Sequence, residues 1–440
     1  MTNTTSDIRP NTDSFKFISW EAVALLFFGL STGRVVSTTQ LATFFHPPTE
    51  TVLWSMSWLT VFIDTITVVG FFVLILIEAR SKQQSARRRS LTIMVVVAVM
   101  MGTILFHQLF FRQQTRPFLG TFDGAVQTEV AAQELLHGHN PYTFDFTKSI
   151  FKEFLGPIKL HGVNLADQHF AYPPLLPVLT ILTIPLGRFV GAPAEFRIIP
   201  VVSLLFVILL LCSRTRSWTK RTIIVLLIAN PFFSLYALAG YSDGVAASLL
   251  VISAMMLVRQ KWIWSAVVLG LAVASKQSVW LAVPLWFIWW WKVNRGAAQN
   301  NRWMPVMVFI GTALVFYAPF IVANGHALYD DIIRFPSAVQ DFTYPIGGSS
   351  WWQFGVILKG FHSPWQHPPA RLLQILFGLP TLLFVGHQMW RRPSINMWLG
   401  GTVVVTLVVG IWNPYFYEQY ALALAFLLVC VMLIDWVEGR

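Results

Sequence analysis

Three residues of this 440-residue chain combine a reactive side chain with a setting that can use it: Asp123, Asp243 and Lys276. Asp123 lies in the stretch 112–172, where polar and aromatic residues interrupt an otherwise apolar sequence. A carboxylate held where water meets lipid can take the proton of a hydroxyl, which is the work of a general base. Asp243 sits in AGYSDGVAAS, a small-residue turn between two apolar runs. An ionisable group there is costly unless it faces water or a partner. Lys276 separates the apolar runs 262–275 and 277–291, and its ammonium suits a phosphate as a point charge. Arg334 and Arg197 suit an anionic group such as a phosphate through bidentate contacts. Glu129, Tyr172, Tyr241, His139 and Asn140 add hydrogen-bonding groups for a polar substrate.

Each of these has a plainer reading. Asp123 precedes residues 124–136, where Val126, Val130, Ala131 and Leu135 recur at helical spacing. It then stands at the N-cap of a short amphipathic helix on the membrane surface, where a capping carboxylate is worth ~1 kcal/mol. Asp243 can be a turn residue, and Lys276 can extend its charge to the interface. His137, His139, His161 and His169 crowd one loop, yet no ligand spacing among them marks a metal site. Hydrogen bonding to a polar substrate or plain solvation accounts for them. Trp351 and Trp352 fit an interfacial aromatic belt or a stack against a substrate face. Arg34 and Asp64 stand at similar depth in the first two apolar runs, as a hidden ion pair would. Cys212 and Cys430 suggest neither a disulfide framework nor a metal site.

The elements that must position these groups are membrane helices. The chain is 55% hydrophobic and 12% charged, about half the charge of a soluble domain. Apolar runs long enough to cross hydrocarbon fall at 17–37, 51–78, 91–111, 197–213, 222–239, 244–258, 262–275, 277–291, 303–323, 369–389, 395–412 and 418–436. The reading is an all-α, polytopic bundle of about 12 spans with a long extracytoplasmic loop carrying interfacial helices. The net charge of +11 is gathered in short clusters between runs, which set orientation and argue against a nucleic-acid partner. With Arg80–Arg89, Arg214–Arg221, Arg259 with Lys261, Lys292 with Arg295, and Arg391 with Arg392 inside, both termini are cytoplasmic. The loops 112–196 and 324–368 are then outside. Residues 173–190 are apolar, but Pro173, Pro174, Pro177 and Pro185 argue against a regular spanning helix. We place that segment at the outer interface, and 262–291 as two spans or one bent hairpin.

The order of motifs resembles a known group. An acidic residue in the first long outer loop is followed by a helix ending LLHGHNPY and then by AYPPL. Downstream come ANPFFSLYALAGYSDGVAAS and VVLGLAVASKQSVW. Over about 91–345 this is similar to the GT-C superfamily of integral membrane glycosyltransferases, and within it to the bacterial enzymes that use polyprenyl-phosphate mannose. The chain departs from that pattern at Gly124, where several relatives carry a second acidic residue.

The resemblance implies transfer of a hexose, mannose first, from a polyprenyl-phosphate donor to a glycan or glycolipid acceptor on the outer face of a bacterial plasma membrane. It implies inversion with Asp123 as the base and Asp243 beside it. It requires no cofactor, since the leaving group is a phosphate rather than a pyrophosphate, although a divalent metal is possible. It divides the chain into a tail at 1–16, a hairpin at 17–90, a catalytic region at 91–345 and a C-terminal region at 346–440. A transporter or flippase for a lipid-linked or small polar solute is the rival reading, and it predicts charges along a central path and a repeated half. Membrane lipids are partners either way.

Overall fold

The computed structural model describes residues 69–70, 73, 85–115, 121–153, 159–160, 163–164, 167–294, 303–337, 346–358, 360 and 369–438. The first expected span, most of the second, Arg34, Asp64 and His161 lie outside the described residues. The protein is an all-α helical membrane protein. Its only strands among the described residues are two-residue pairs, 159–160 with 163–164 and 347–348 with 415–416.

The chain enters through α1 (Ala86–Thr115) and then α2 (Asp123–Leu136). The expected outer-interface segment is broken, not continuous. It forms α3 (Leu175–Thr180), a 3₁₀ turn at Ile181–Thr183 and α4 (Ile184–Phe189). Its prolines remove amide donors and prevent one regular helix. α3 packs against α2, so the segment is partly buried by protein.

Next come α5 (Ile198–Cys212), α6 (Trp218–Ile228), α7 (Pro231–Ala239) and α8 (Asp243–Val258). The single run expected at 222–239 splits at Asn230, because Pro231 opens a new helix where its missing N–H costs nothing. α9 (Trp262–Val273) returns along α8 after Gln260, which takes a left-handed φ of 57°. Ser253 donates to the Ser265 carbonyl at 2.9 Å, a small-residue tie of the kind that joins membrane helices. After Lys276 a 3₁₀ turn (Gln277–Leu281) leads into α10 (Ala282–Val293).

α11 (Met304–Tyr329) follows and runs into a π-helical turn at Asp330–Arg334. Then come the short α12 (Trp351–Ile357), α13 (Ala370–Arg391), α14 (Ile395–Ile411) and α15 (Glu418–Glu438). Three of these helices are long and apolar enough to span by themselves, over Met304–Arg334, Ala370–Arg391 and Glu418–Val437. α9 packs on α8 and α11, whereas α10 packs on α13 and α14. Trp262 at the start of α9 also meets Trp289 and Trp290 near the end of α10, with ring centroids 5.7 and 5.4 Å apart, so α10 folds back beside α9 in the manner of a bent hairpin.

The main core gathers α5, α8, α9, α10, α14 and α15 around the fully buried Trp286 and Trp398. Trp398 donates its indole N–H to the Ala282 carbonyl at 3.0 Å, which removes the cost of burying that polar group. The bundle has two unlike ends. At one, Arg87 and Arg221 lie over Trp218, Lys220 donates to the Trp436 carbonyl, Arg259 reaches Ser213 and Lys292 covers Trp390. At the other, Phe122 N–H donates to the Ala239 carbonyl at 2.8 Å, and Leu175 N–H to the Ala274 carbonyl at 2.9 Å. That second end holds Asp123, Asp243 and Lys276.

Candidate active site

Asp123 is the first residue of α2, with Phe122 rather than Asp123 in the capping position, and no side chain caps the helix. The expected N-cap role is therefore corrected. Its Oδ1 instead accepts from Gly124 N–H at 2.7 Å. α2 is also not a surface helix. Gly124 through Ala132 are all buried, with Ala125 against Leu176, Phe196 and Val245, and Val126 and Val130 against Phe146 and Phe170. By exposed area Asp123 is intermediate, but its carboxyl is enclosed by protein atoms. That enclosure governs its proton affinity. Burial pushes the carboxyl up to about 6, against the pull of Gly124 N–H and Lys276.

Gly124 and Gly240 make this approach possible. A Cβ at Gly124 would lie 1.7 Å from the Tyr172 hydroxyl. The space beside Asp123 is thus taken by Tyr172, and any side chain at position 124 would displace that ring. Gly240 has φ +87°, and a Cβ there would meet Ala125 at 2.6 Å. Only glycine lets the α7–α8 turn pass so close to α2.

That turn delivers Asp243, which is buried at the start of α8. Lys276 Nζ sits 3.3 Å from Asp243 Oδ2 and donates to Ser242 Oγ at 3.0 Å. It also lies over the rings of Tyr172 at 4.9 Å and Tyr420 at 5.6 Å, a cage suited to a cation. Tyr241 stacks on Phe122 and Tyr236, with centroids at 4.2 and 5.0 Å. Its hydroxyl is raised well above the usual range by burial first, then by Tyr236, Asp123, Asp243 and Glu418. The two aspartates therefore share one field, with Lys276 acting on both. An apolar groove lined by Leu204, Phe233, Leu422 and Phe426 runs from Tyr241 and Asp243.

The other expected contributors are placed elsewhere. Glu129 is wholly buried, and its carboxylate is spent on Arg112 and on Phe196 N–H. Arg112 also reaches Glu195 at 2.9 Å, and Glu195 holds Arg197 through bonds of 2.6 and 2.9 Å. The substrate roles expected for Glu129 and Arg197 are corrected: both belong to a buried four-residue ion network that anchors α2 to α1 and to the start of α5. Glu195 lies below the usual range because Arg197 and Arg112 together outweigh its burial.

Arg334 is bound to Asp330 at 2.7 Å. His139 is exposed and meets Glu134 at 2.6 Å. Asn140 accepts from Tyr142 N–H at 3.1 Å and so shapes its own turn. Among the described residues none of these three is hydrogen-bonded or ion-paired to Asp123, Asp243 or Lys276. No cluster of three or more His, Cys, Asp or Glu side chains suited to a metal occurs among the described residues.

Sequence reasoning missed Gln277 and the C-terminal wall. Tyr236 donates to Glu418 at 3.2 Å, and Gly347–Gly348 pairs in parallel with Tyr415–Phe416. The signal existed: Asn413-Pro414-Tyr415 repeats Asn140-Pro141-Tyr142, and both asparagines accept from the tyrosine N–H two residues on.

No curated protein and no solved structure matches the chain. Residues 177–336 match the family model described as ALG3 protein, a family of endoplasmic-reticulum mannosyltransferases of GT-C type with a dolichyl-phosphate-mannose donor. That is somewhat more than a third of the chain; it takes in Asp243, Lys276 and Arg334 and begins beyond Asp123.

Proposed function

We propose that the protein is a membrane glycosyltransferase that moves a hexose, mannose first, from a polyprenyl-phosphate lipid to a glycan or glycolipid acceptor with inversion. The site would face away from the basic, cytoplasmic end of the bundle. The observation that carries this reading is the meeting of Asp123 with the Asp243–Lys276 pair at one end of the bundle, on helices within and beside the ALG3-like stretch.

In this reading Asp123, ionised above about pH 6, takes the proton of the acceptor hydroxyl. The oxygen attacks the anomeric carbon as the bond from that carbon to the phosphate oxygen breaks. One displacement inverts the centre, and the polyprenyl phosphate leaves with the electron pair. Lys276 meets the growing charge on the phosphate. Asp243 and Ser242 position the ammonium, so Asp243 orients the cation rather than the acceptor. Such a leaving group makes no demand for a metal.

The test is incubation of membranes containing the full chain with radiolabelled polyprenyl-phosphate mannose, followed by product analysis. Transfer to a membrane glycan is expected, with loss in Asp123→Ala at unchanged protein level. Full activity in that variant would remove Asp123 from the mechanism. No turnover of any lipid-bound donor would favour the transporter reading.

A further inference from the structure

We propose that His169, oriented by Asp331, is a subsite for the acceptor sugar, whose hydroxyl donates a hydrogen bond to Nε2 of the imidazole. This rests on the transferase reading. The stretch 169–172 is a strap tied by side chains from several elements. Gln127, one turn beyond Asp123 on α2, donates to the His169 carbonyl at 2.7 Å. Gln277, next to Lys276, donates to the carbonyls of Ala171 at 2.8 Å and Ile332 at 3.1 Å. Tyr142 donates to the Tyr172 carbonyl at 2.8 Å, and Tyr172 itself closes over Gly124 and Lys276. His169 is thus held by the same helices that hold the proposed base and its cation.

The imidazole has little freedom. Its ring stacks on Phe335 with centroids 4.6 Å apart. Nδ1 lies 2.8 Å from Asp331 Oδ1, while the other oxygen of that buried carboxylate accepts from Phe170 N–H at 2.9 Å. A carboxylate facing Nδ1 puts the proton there and leaves the Nε2 lone pair as an acceptor. The side chain is 21% exposed, and Nε2 makes no hydrogen bond among the described residues. The neighbouring charges are already matched: Asp330 takes both Arg334 and His326, at 2.7 and 2.9 Å. A lone pair backed by a carboxylate repels an anion and accepts from a hydroxyl. The chemistry it fits is a neutral saccharide, not the phosphate of a lipid donor.

Two variants separate this role from a structural one. In His169→Asn the amide can still donate to Asp331 but offers nothing where Nε2 stood. In His169→Gln the amide reaches the Nε2 position and gives up the tie to Asp331. We expect His169→Asn to raise the acceptor KM about five-fold, the factor carried by one neutral hydrogen bond, with the donor KM unchanged. His169→Gln should recover part of the loss. In parallel, α-linked mannotriose is titrated onto the purified full chain and followed by saturation-transfer NMR. The wild type should show contact and His169→Asn should lose it. Contact in the wild type without any sugar transfer would sink the transferase reading and leave the subsite standing. Equal contact in the two proteins, no contact in either, or an acceptor KM that stays put in His169→Asn would overturn the subsite.

Discussion

Replacing Asp123 by asparagine should remove the reaction and stabilise the fold, and the stabilisation should depend on pH in a defined way. The carboxyl sits at about 6 in the folded protein against a reference of 3.8. The folded state therefore binds this proton more tightly than the unfolded chain does. Between those two values stability falls as pH rises, and above about pH 6 the full penalty is present. The interval corresponds to roughly 3 kcal/mol at pH 7.5, of which about 1.5 kcal/mol has developed by pH 5. Asparagine keeps an oxygen for Gly124 N–H and never ionises, so it escapes this cost. The attraction of Lys276 is lost, but Asp243 and Ser242 still hold that ammonium. The assay is thermal unfolding of the detergent-solubilised protein at pH 5 and pH 7.5, followed through its 19 tryptophans. Asp123→Asn should melt a few degrees higher at pH 7.5, with a smaller gap at pH 5. A gap that does not change with pH, or a variant less stable than the wild type at pH 7.5, would refute the burial argument.

The other predictions concern what holds α2 in place. Glu129→Ala leaves Arg112 facing one carboxylate inside the protein, and losing one partner of a buried ion pair costs about 3–5 kcal/mol. Its melting midpoint should drop sharply at every pH; an unchanged midpoint would deny the network its anchoring role. Gly124→Ala forces Tyr172 aside, since the new methyl would stand 1.7 Å from its hydroxyl. Because the Tyr172 carbonyl is fixed by Tyr142, the ring must swing off Lys276, and we expect transfer to fall about ten-fold or more on loss of positioning. Wild-type rates in Gly124→Ala would show that Tyr172 has no part in holding the cation.

Much of the fold was legible because membrane helices announce themselves by composition and length. The helix expected at 124–136 is found at Asp123–Leu136, and the prolines of 173–190 do break that segment. What was not legible depends on contacts between distant residues. Arg112 and Glu195 are 83 positions apart, and no local pattern links them. One clue was available: Glu129 falls three residues after Val126 and beside Val130, so it lies on the apolar face of its own helix. An acid there needs a buried partner, which points to a structural ion pair sooner than to a substrate. The surface-helix reading failed for a related reason. Periodicity reports one apolar face, while α2 is enclosed on the other by Phe196, Leu176 and the α7–α8 turn. Glu418 and Tyr420 were missed because the C-terminal region was assigned no part in the site.

The charges in the site bear on why its base is placed as it is. At neutral pH Asp123 and Asp243 carry two negative charges against the one positive charge of Lys276, a field unfavourable to a leaving phosphate. On the proposed mechanism, however, Asp123 gives up its charge when it takes the acceptor proton. The negative charge of the site then falls by one at the moment the phosphate gains its charge. A carboxyl near 6 rather than 3.8 is about two units more basic, which favours that proton transfer by roughly 3 kcal/mol relative to a solvent-exposed aspartate. The burial that destabilises ionised Asp123 in the resting protein is thus recovered along the reaction coordinate. The Arg112–Glu129–Glu195–Arg197 network stands apart from this cycle, balanced in charge and sealed from solvent. It can hold α2 rigid because none of its members has to change protonation for the reaction to proceed.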